Sequence, residues 1–188
     1  MASPIYRQIT GPTSEELDAA RAYQAESGFF HLGYQGAHDF ALINFRCYEK
    51  FLFSGKLASL ITATRQRYEL IDNVTLYSGH GNGTGTTGAL SHAEFSRFKN
   101  MKWRYPGITS TSQVRVEAED CALKRRNHPI LLEFRLKSGF RLFPMDTLGQ
   151  GHEMEFLIPP TECVIMDAAV ISIRDAPNVL HLVLQPFR

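Results

Sequence analysis

Residues 151–160 read Gly151-His152-Glu153-Met154-Glu155-Phe156-Leu157-Ile158-Pro159-Pro160. The apolar run that ends in a Pro-Pro turn predicts a strand over Glu153–Ile158. Strand side chains alternate, so Glu153 and Glu155 are expected on one face, and Met154 and Phe156 are expected to face the core. Two like charges on one face repel each other unless a cation or a hydrogen-bond donor intervenes. His152 with two carboxylates is a thin ligand set and no second His lies nearby, so no metal is expected.

Outward from that strand the chain is β-rich. Strands are predicted at Val74–Tyr77, Ile108–Ser112, Pro129–Leu136, Phe140–Phe143, Cys163–Met166, Ala169–Ile173 and Val179–Leu184. Ser138-Gly139, Pro159-Pro160 and Ala176-Pro177-Asn178 carry turn chemistry. In Gly107-Ile108-Thr109-Ser110-Thr111-Ser112, alternate hydroxyls share a face, and Ser112 also suits a helix cap. Gln113–Arg126 is then a helix, with Lys124-Arg125-Arg126 in its last turn, where cations favour the dipole.

Before Asn73 the pattern is helical. Thr13-Ser14-Glu15-Glu16 reads as a capping box and Gly28 as a stop. Further helices are expected over Ala37–Phe53 and Leu57–Leu70, and a short one over Ala89–Phe98. Helices first and strands later give an α+β domain.

Composition removes several classes. The chain has 188 residues, 44% hydrophobic and 21% charged, and 20 basic against 19 acidic residues leave a net charge of +1. No global field draws in nucleic acid or an acidic membrane, and no apolar run approaches the ~20 residues of a membrane helix. Cys47, Cys121 and Cys163 form no CxxC pair and are expected in or near the core. Met1–Thr13 holds no apolar signal segment. Gly83–Gly88 fits G-x-G-x-x-G, but the preceding strand ends too early and strand does not alternate with helix, so a dinucleotide fold is not predicted. No Lys follows Gly88, and no G-x-S-x-G elbow exists.

In order and spacing, Leu76-Tyr77-Ser78-Gly79, then Gly107–Ser112, then Glu153–Pro159 resemble the mono-ADP-ribosyltransferase family. More narrowly they resemble its arginine–serine–glutamate branch of bacterial toxins and type III effectors. The resemblance covers nearly the whole chain. It implies one domain over 1–188, with an N-terminal helical part (about 13–72) packed on a split β-sheet core (about 73–188). It also implies transfer of ADP-ribose from NAD to a protein side chain with release of nicotinamide. NAD glycohydrolysis, or a binding module without turnover, are the alternatives.

By this resemblance Glu155 stabilises the oxocarbenium-like transition state and Ser110 orients it. Glu153 handles the acceptor, Arg as first guess with Thr or Ser open. Tyr77, Ser78, Gly79, His80, Ser110, Thr111 and Ser112 would line the NAD site, although Tyr77 also suits a core position. The loop Asp146–His152, with Gln150, resembles the substrate-recognising turn. One departure stands out: Ser78 occupies the position of the family's NAD-gripping Arg. His80, Arg104, Arg97 or the amides of residues 79–88 are the substitutes the sequence offers. The resemblance implies a target or host protein as partner, with ubiquitin among the possibilities. It further implies a monomer without nucleic-acid or membrane partners, soluble and exported from a bacterium without a Sec signal.

Overall fold

Thr13 caps the first helix as expected. Its amide donates to Glu16 Oε2 at 2.8 Å, and the Glu16 amide donates to Thr13 Oγ1 at 3.2 Å. This reciprocal box opens α1 (Ser14–Ala25) and contributes about 1 kcal/mol. Glu16 is only 3% exposed. Arg67 answers its charge with a two-pronged contact, both prongs at 2.8 Å. That pair fastens α1 to the end of α2 (Lys56–Gln66). Burial alone would raise the Glu16 carboxyl, but Arg67 and the Thr13 amide outweigh it and hold it below its ordinary value.

The computed structural model describes residues 5–25, 56–81, 96–105, 108–124, 129–149 and 154–187. The expected helix Ala37–Phe53, the stop at Gly28, Cys47 and the Gly83–Gly88 segment lie outside them.

The strands are β1 (Tyr6–Gln8), β2 (Tyr68–Leu70), β3 (Val74–Gly81), β4 (Lys102–Tyr105), β5 (Thr109–Ser112), β6 (Pro129–Leu136), β7 (Arg141–Pro144), β8 (Glu155–Ile158), β9 (Thr161–Ile173) and β10 (Ala176–Pro186). A third helix, α3 (Arg115–Lys124), follows β5. The sheet order is β1-β2-β7-β8-β5-β3-β6-β10-β9-β4, and among the described residues only β6 and β10 pair in parallel. Five strand spacings separate β5 from β4 in this order, roughly 24 Å if the sheet were flat. Yet Thr109 follows Tyr105 by four residues, a reach of at most about 14 Å. The sheet must therefore fold back on itself. One continuous core, including Leu76, Phe134, Phe143, Leu157, Ile158 and Ile165, fills the interior together with Ala19, Ala20, Tyr23 and Leu60 of the helices. The architecture is α+β, as the order of helices and strands predicts.

Several boundaries differ from expectation. The helix predicted over Leu57–Leu70 stops at Gln66, and Tyr68-Glu69-Leu70 is a strand. Tyr68 and Leu70 point inward while Glu69 pairs with Arg7 and Arg141 outside, a period of two hidden in a run also compatible with a helix. The two strands expected between Cys163 and Ile173 are one. Leu184 pairs with Ile165 and Val183 with Asp167, so Met166 is a bulge that breaks the sequence pattern. Ala176-Pro177-Asn178 is a second irregularity within β10, with Asn178 at φ 64, rather than a turn. Of the 89–98 helix, only a 3-10 turn at Ser96–Phe98 is among the described residues. Cys163 is fully buried, which pushes its thiol up to about 12. Cys121 is exposed, contrary to expectation, because the buried positions of α3 are Ala118 and Ala122.

Candidate active site

Two antiparallel registers align the expected residues. Ser112 lies opposite Glu155 across β5–β8, and Tyr77 lies opposite Ser112 across β3–β5. Directly opposed residues share a face. Tyr77, Ser112 and Glu155 thus form a row over three strands, with Ser110 two positions along β5 on the same side. Among the described residues Tyr77 to Ser112 is the one register pair between β3 and β5, so these strands meet at this row.

Within the row the Ser110 hydroxyl donates directly to Glu155 Oε1. Glu155 is half-buried at the first position of β8, where the carboxylate is fixed yet still reaches solvent. A residue the sequence reading missed completes the contact. Tyr23, 3% exposed in α1, hydrogen-bonds Ser110 and lies close enough to feel the Glu155 charge. Burial first, then that charge, raise its phenol well above the ordinary value against the opposing pull of the Ser110 hydroxyl.

The remaining expected residues divide. Thr111 faces away from Ser110, buried, with its hydroxyl donating to the Phe156 carbonyl at 2.8 Å. Ser112 accepts from the Val114 amide at 3.0 Å and so turns the chain into α3. Tyr77 is half-buried beside Ala118 and Leu131. The Arg115 guanidinium sits 5.9 Å from its ring centroid. Arg115 also pairs with Glu119 at 2.7 Å. Sequence reasoning missed Arg115 as well, because it lies outside both motifs.

Ser78 and His80 are each 5% exposed. Ser78 Oγ donates to the Ser110 carbonyl at 2.6 Å and lies 2.8 Å from His80 Nε2. At the motif's Arg position the chain thus ties β3 to β5, and His80 takes part in that buried knot. Gly79 is part of β3, not of a loop. A Cβ there would stand 1.9 Å from the Ala118 carbonyl oxygen, so α3 packs directly against this glycine. This corrects the expected strand Val74–Tyr77, which runs on through Gly79 to Gly81.

Glu153 and Gln150 lie outside the described residues. Met154 corrects the expected strand. It has φ 43 and is 54% exposed instead of facing the core, so β8 begins at Glu155. Phe156 faces the core as expected. Asp146, at the head of the expected recognition loop, accepts from the Tyr6 hydroxyl at 2.9 Å. Tyr6 packs edge-on against Phe156, which anchors that corner beneath β8. Arg97 is exposed, and Arg104 pairs in register with Glu162 through its backbone. Among the described residues no group of three or more His, Cys, Asp or Glu is placed to hold a metal. None of their helices is long and apolar enough to cross a membrane.

No protein-family model matches the chain, and no curated protein sequence matches it. Solved structures do. Plx2a, an ADP-ribosyltransferase toxin from Paenibacillus larvae, superposes with a TM-score of 0.66 at 19% identity, covering 94% of this chain and 87% of the toxin. The Clostridium limosum C3 exoenzyme gives 0.64 at 16% identity, covering 94% and 86%. C3stau2 from S. aureus, solved with NAD, gives 0.61 at 16% identity, covering 94% and 88%. The fold of this chain is therefore the fold of ADP-ribosyltransferase toxins.

Proposed function

We propose that the chain is a mono-ADP-ribosyltransferase that consumes NAD and modifies a protein side chain. The observation that carries this reading is the Ser110 hydroxyl seated on the Glu155 carboxylate, in a fold shared with toxins of that activity, one of them solved with NAD. In the reaction the bond between the nicotinamide nitrogen and ribose C1′ breaks, and its electron pair leaves with neutral nicotinamide. An acceptor nitrogen or oxygen then bonds to C1′ and gives up its proton.

The cation that develops on the ribose needs a fixed negative charge facing it. Glu155, held by Ser110, supplies it. Glu153 is the proposed partner for the acceptor. A guanidinium, with a pKa above about 12, needs a base to become nucleophilic, which makes Arg the first acceptor to test. Arg115 takes the phosphate-holding role of the missing motif Arg. Its pairing with Glu119 is partly exposed. Such pairs contribute at most about 1 kcal/mol, so the guanidinium exchanges a carboxylate for a phosphate at little cost.

The test is incubation with NAD, with and without candidate acceptor proteins including ubiquitin, reading nicotinamide release and protein mass. Release together with one added ADP-ribosyl group on an acceptor supports the proposal. Release without labelling means a glycohydrolase. No release under any condition means a binding module.

A further inference from the structure

We infer that Ser78 and His80 are positioning residues: together they form a buried clasp on the Ser110 carbonyl that keeps the Ser110 hydroxyl on Glu155. The inference concerns the same site and, for its kinetic part, rests on the transferase reading.

The direction of each bond follows from the donors present. A peptide carbonyl only accepts, and a serine hydroxyl has a single hydrogen. Ser78 Oγ lies 2.6 Å from the Ser110 carbonyl oxygen, so that hydrogen sits between these two atoms. Toward His80 Nε2, 2.8 Å away, Ser78 can then only accept. Nε2 of His80 must therefore carry a proton. The clasp runs from His80 to Ser78 to the Ser110 carbonyl, and Ser110 donates its own hydroxyl hydrogen to Glu155.

The place of the clasp gives it its task. Among the described residues β5 shares four register pairs with β8, from Thr109–Ile158 to Ser112–Glu155. With β3 it shares the single pair Tyr77–Ser112. The backbone thus holds β5 well on one side and thinly on the other. Ser78 adds a tie on the thin side, at residue 110 itself. Its support is firm, because β3 pairs with β6 from Val74–Leu136 to Gly81–Pro129. On the other side the Thr111 hydroxyl fastens the next residue to the Phe156 carbonyl at 2.8 Å. The backbone of Ser110 and Thr111 is therefore held from both neighbouring strands, which fixes where the Ser110 hydroxyl stands against Glu155. Ser78 and His80 are each 5% exposed, and in such surroundings a hydrogen bond is stronger than in water.

The experiment measures nicotinamide release in a double-mutant cycle of Ser78→Ala and Ser110→Ala, with melting temperatures recorded. Ser78→Ala should lower kcat about five- to tenfold, the effect of losing one hydrogen bond that orients the group acting on the transition state. KM for NAD should stay within about twofold. In the Ser110→Ala background Ser78→Ala should cost no further activity: the carbonyl remains, but the hydroxyl it positions is gone. A tie that only joined the strands would cost the same in both backgrounds. That result, or a change in KM alone, would overturn the inference. His80→Gln keeps an N–H donor and should stay within about threefold of wild type, while His80→Leu should lose as much as Ser78→Ala. Equal losses in the two variants would remove His80 from the clasp.

A second readout needs no turnover. In nitrogen NMR of the protein without NAD, His80 should bear a proton on Nε2. In carbon NMR the Ser110 carbonyl resonance should shift in Ser78→Ala. A proton on Nδ1 alone, or an unmoved Ser110 carbonyl, would refute the clasp even if the wild type proves inactive. Absence of nicotinamide release from the wild type, with both spectra as expected, would sink the transferase reading and leave the clasp standing.

Discussion

Replacing Gly79 by Ala tests how β3 and α3 meet under the site. The added methyl would lie 1.9 Å from the Ala118 carbonyl oxygen, 2.5 Å from the Ala122 nitrogen and 2.9 Å from Cys121 Cβ. Ordinary contacts begin near 3.4–3.5 Å, so α3 must retreat by about 1.5 Å. Two of the three obstacles are backbone and cannot rotate away. Overpacking of this kind costs about 1–3 kcal/mol. A domain of this size loses roughly 2–4 °C in Tm per kcal/mol, so a drop of about 2–12 °C is expected. Gly11→Ala is the control, since its methyl would meet only Gln8 Nε2 at 3.7 Å. Thermal unfolding followed by circular dichroism compares the two. A Gly79→Ala protein that melts within 1 °C or so of wild type would show that α3 does not press on β3.

Two further outcomes are expected. The Glu16 carboxyl is held below its unfolded value of 4.5. Its contribution to stability is therefore complete above about pH 4.5 and is lost as pH falls through the lower folded value. Urea unfolding across pH 3–7 should show this loss in wild type and a flatter profile in Glu16→Gln; parallel profiles would contradict the assignment. Arg115→Ala should raise KM for NAD about tenfold, the effect of one charge-assisted phosphate contact, with kcat within twofold. An unchanged KM would remove Arg115 from the phosphate grip.

Much of the frame was legible because its signals are local. The Thr13–Glu16 box, the eight-residue strand Pro129–Leu136 and the Ser110–Ser112 strand each carry their own chemistry over a few residues. Short edge strands did not announce themselves. Tyr6–Gln8 and Lys102–Tyr105 span 3 and 4 residues and are strands because a neighbour pairs with them. Bulges at Met166 and Asn178 hid the length of β9 and β10, since an extra residue inverts the inside–outside pattern that sequence reading relies on.

The site shows the same division. Ser110 and Glu155 were found from motif order. Tyr23 was not, because its partner lies 87 residues further along the chain and only the packing of α1 brings the two together. Met154 misled because a left-handed residue ends the alternation one position before Glu155, and nothing in the residue type foretells it.

The most direct test is nicotinamide release from NAD by wild type and by Glu155→Gln, each checked for the same melting temperature. The carboxylate beside Ser110 is held to stabilise the ribosyl cation. Its neutral isostere should therefore slow release by about 10²–10³-fold or more while the fold persists. Release by Glu155→Gln within a few-fold of wild type would contradict the account.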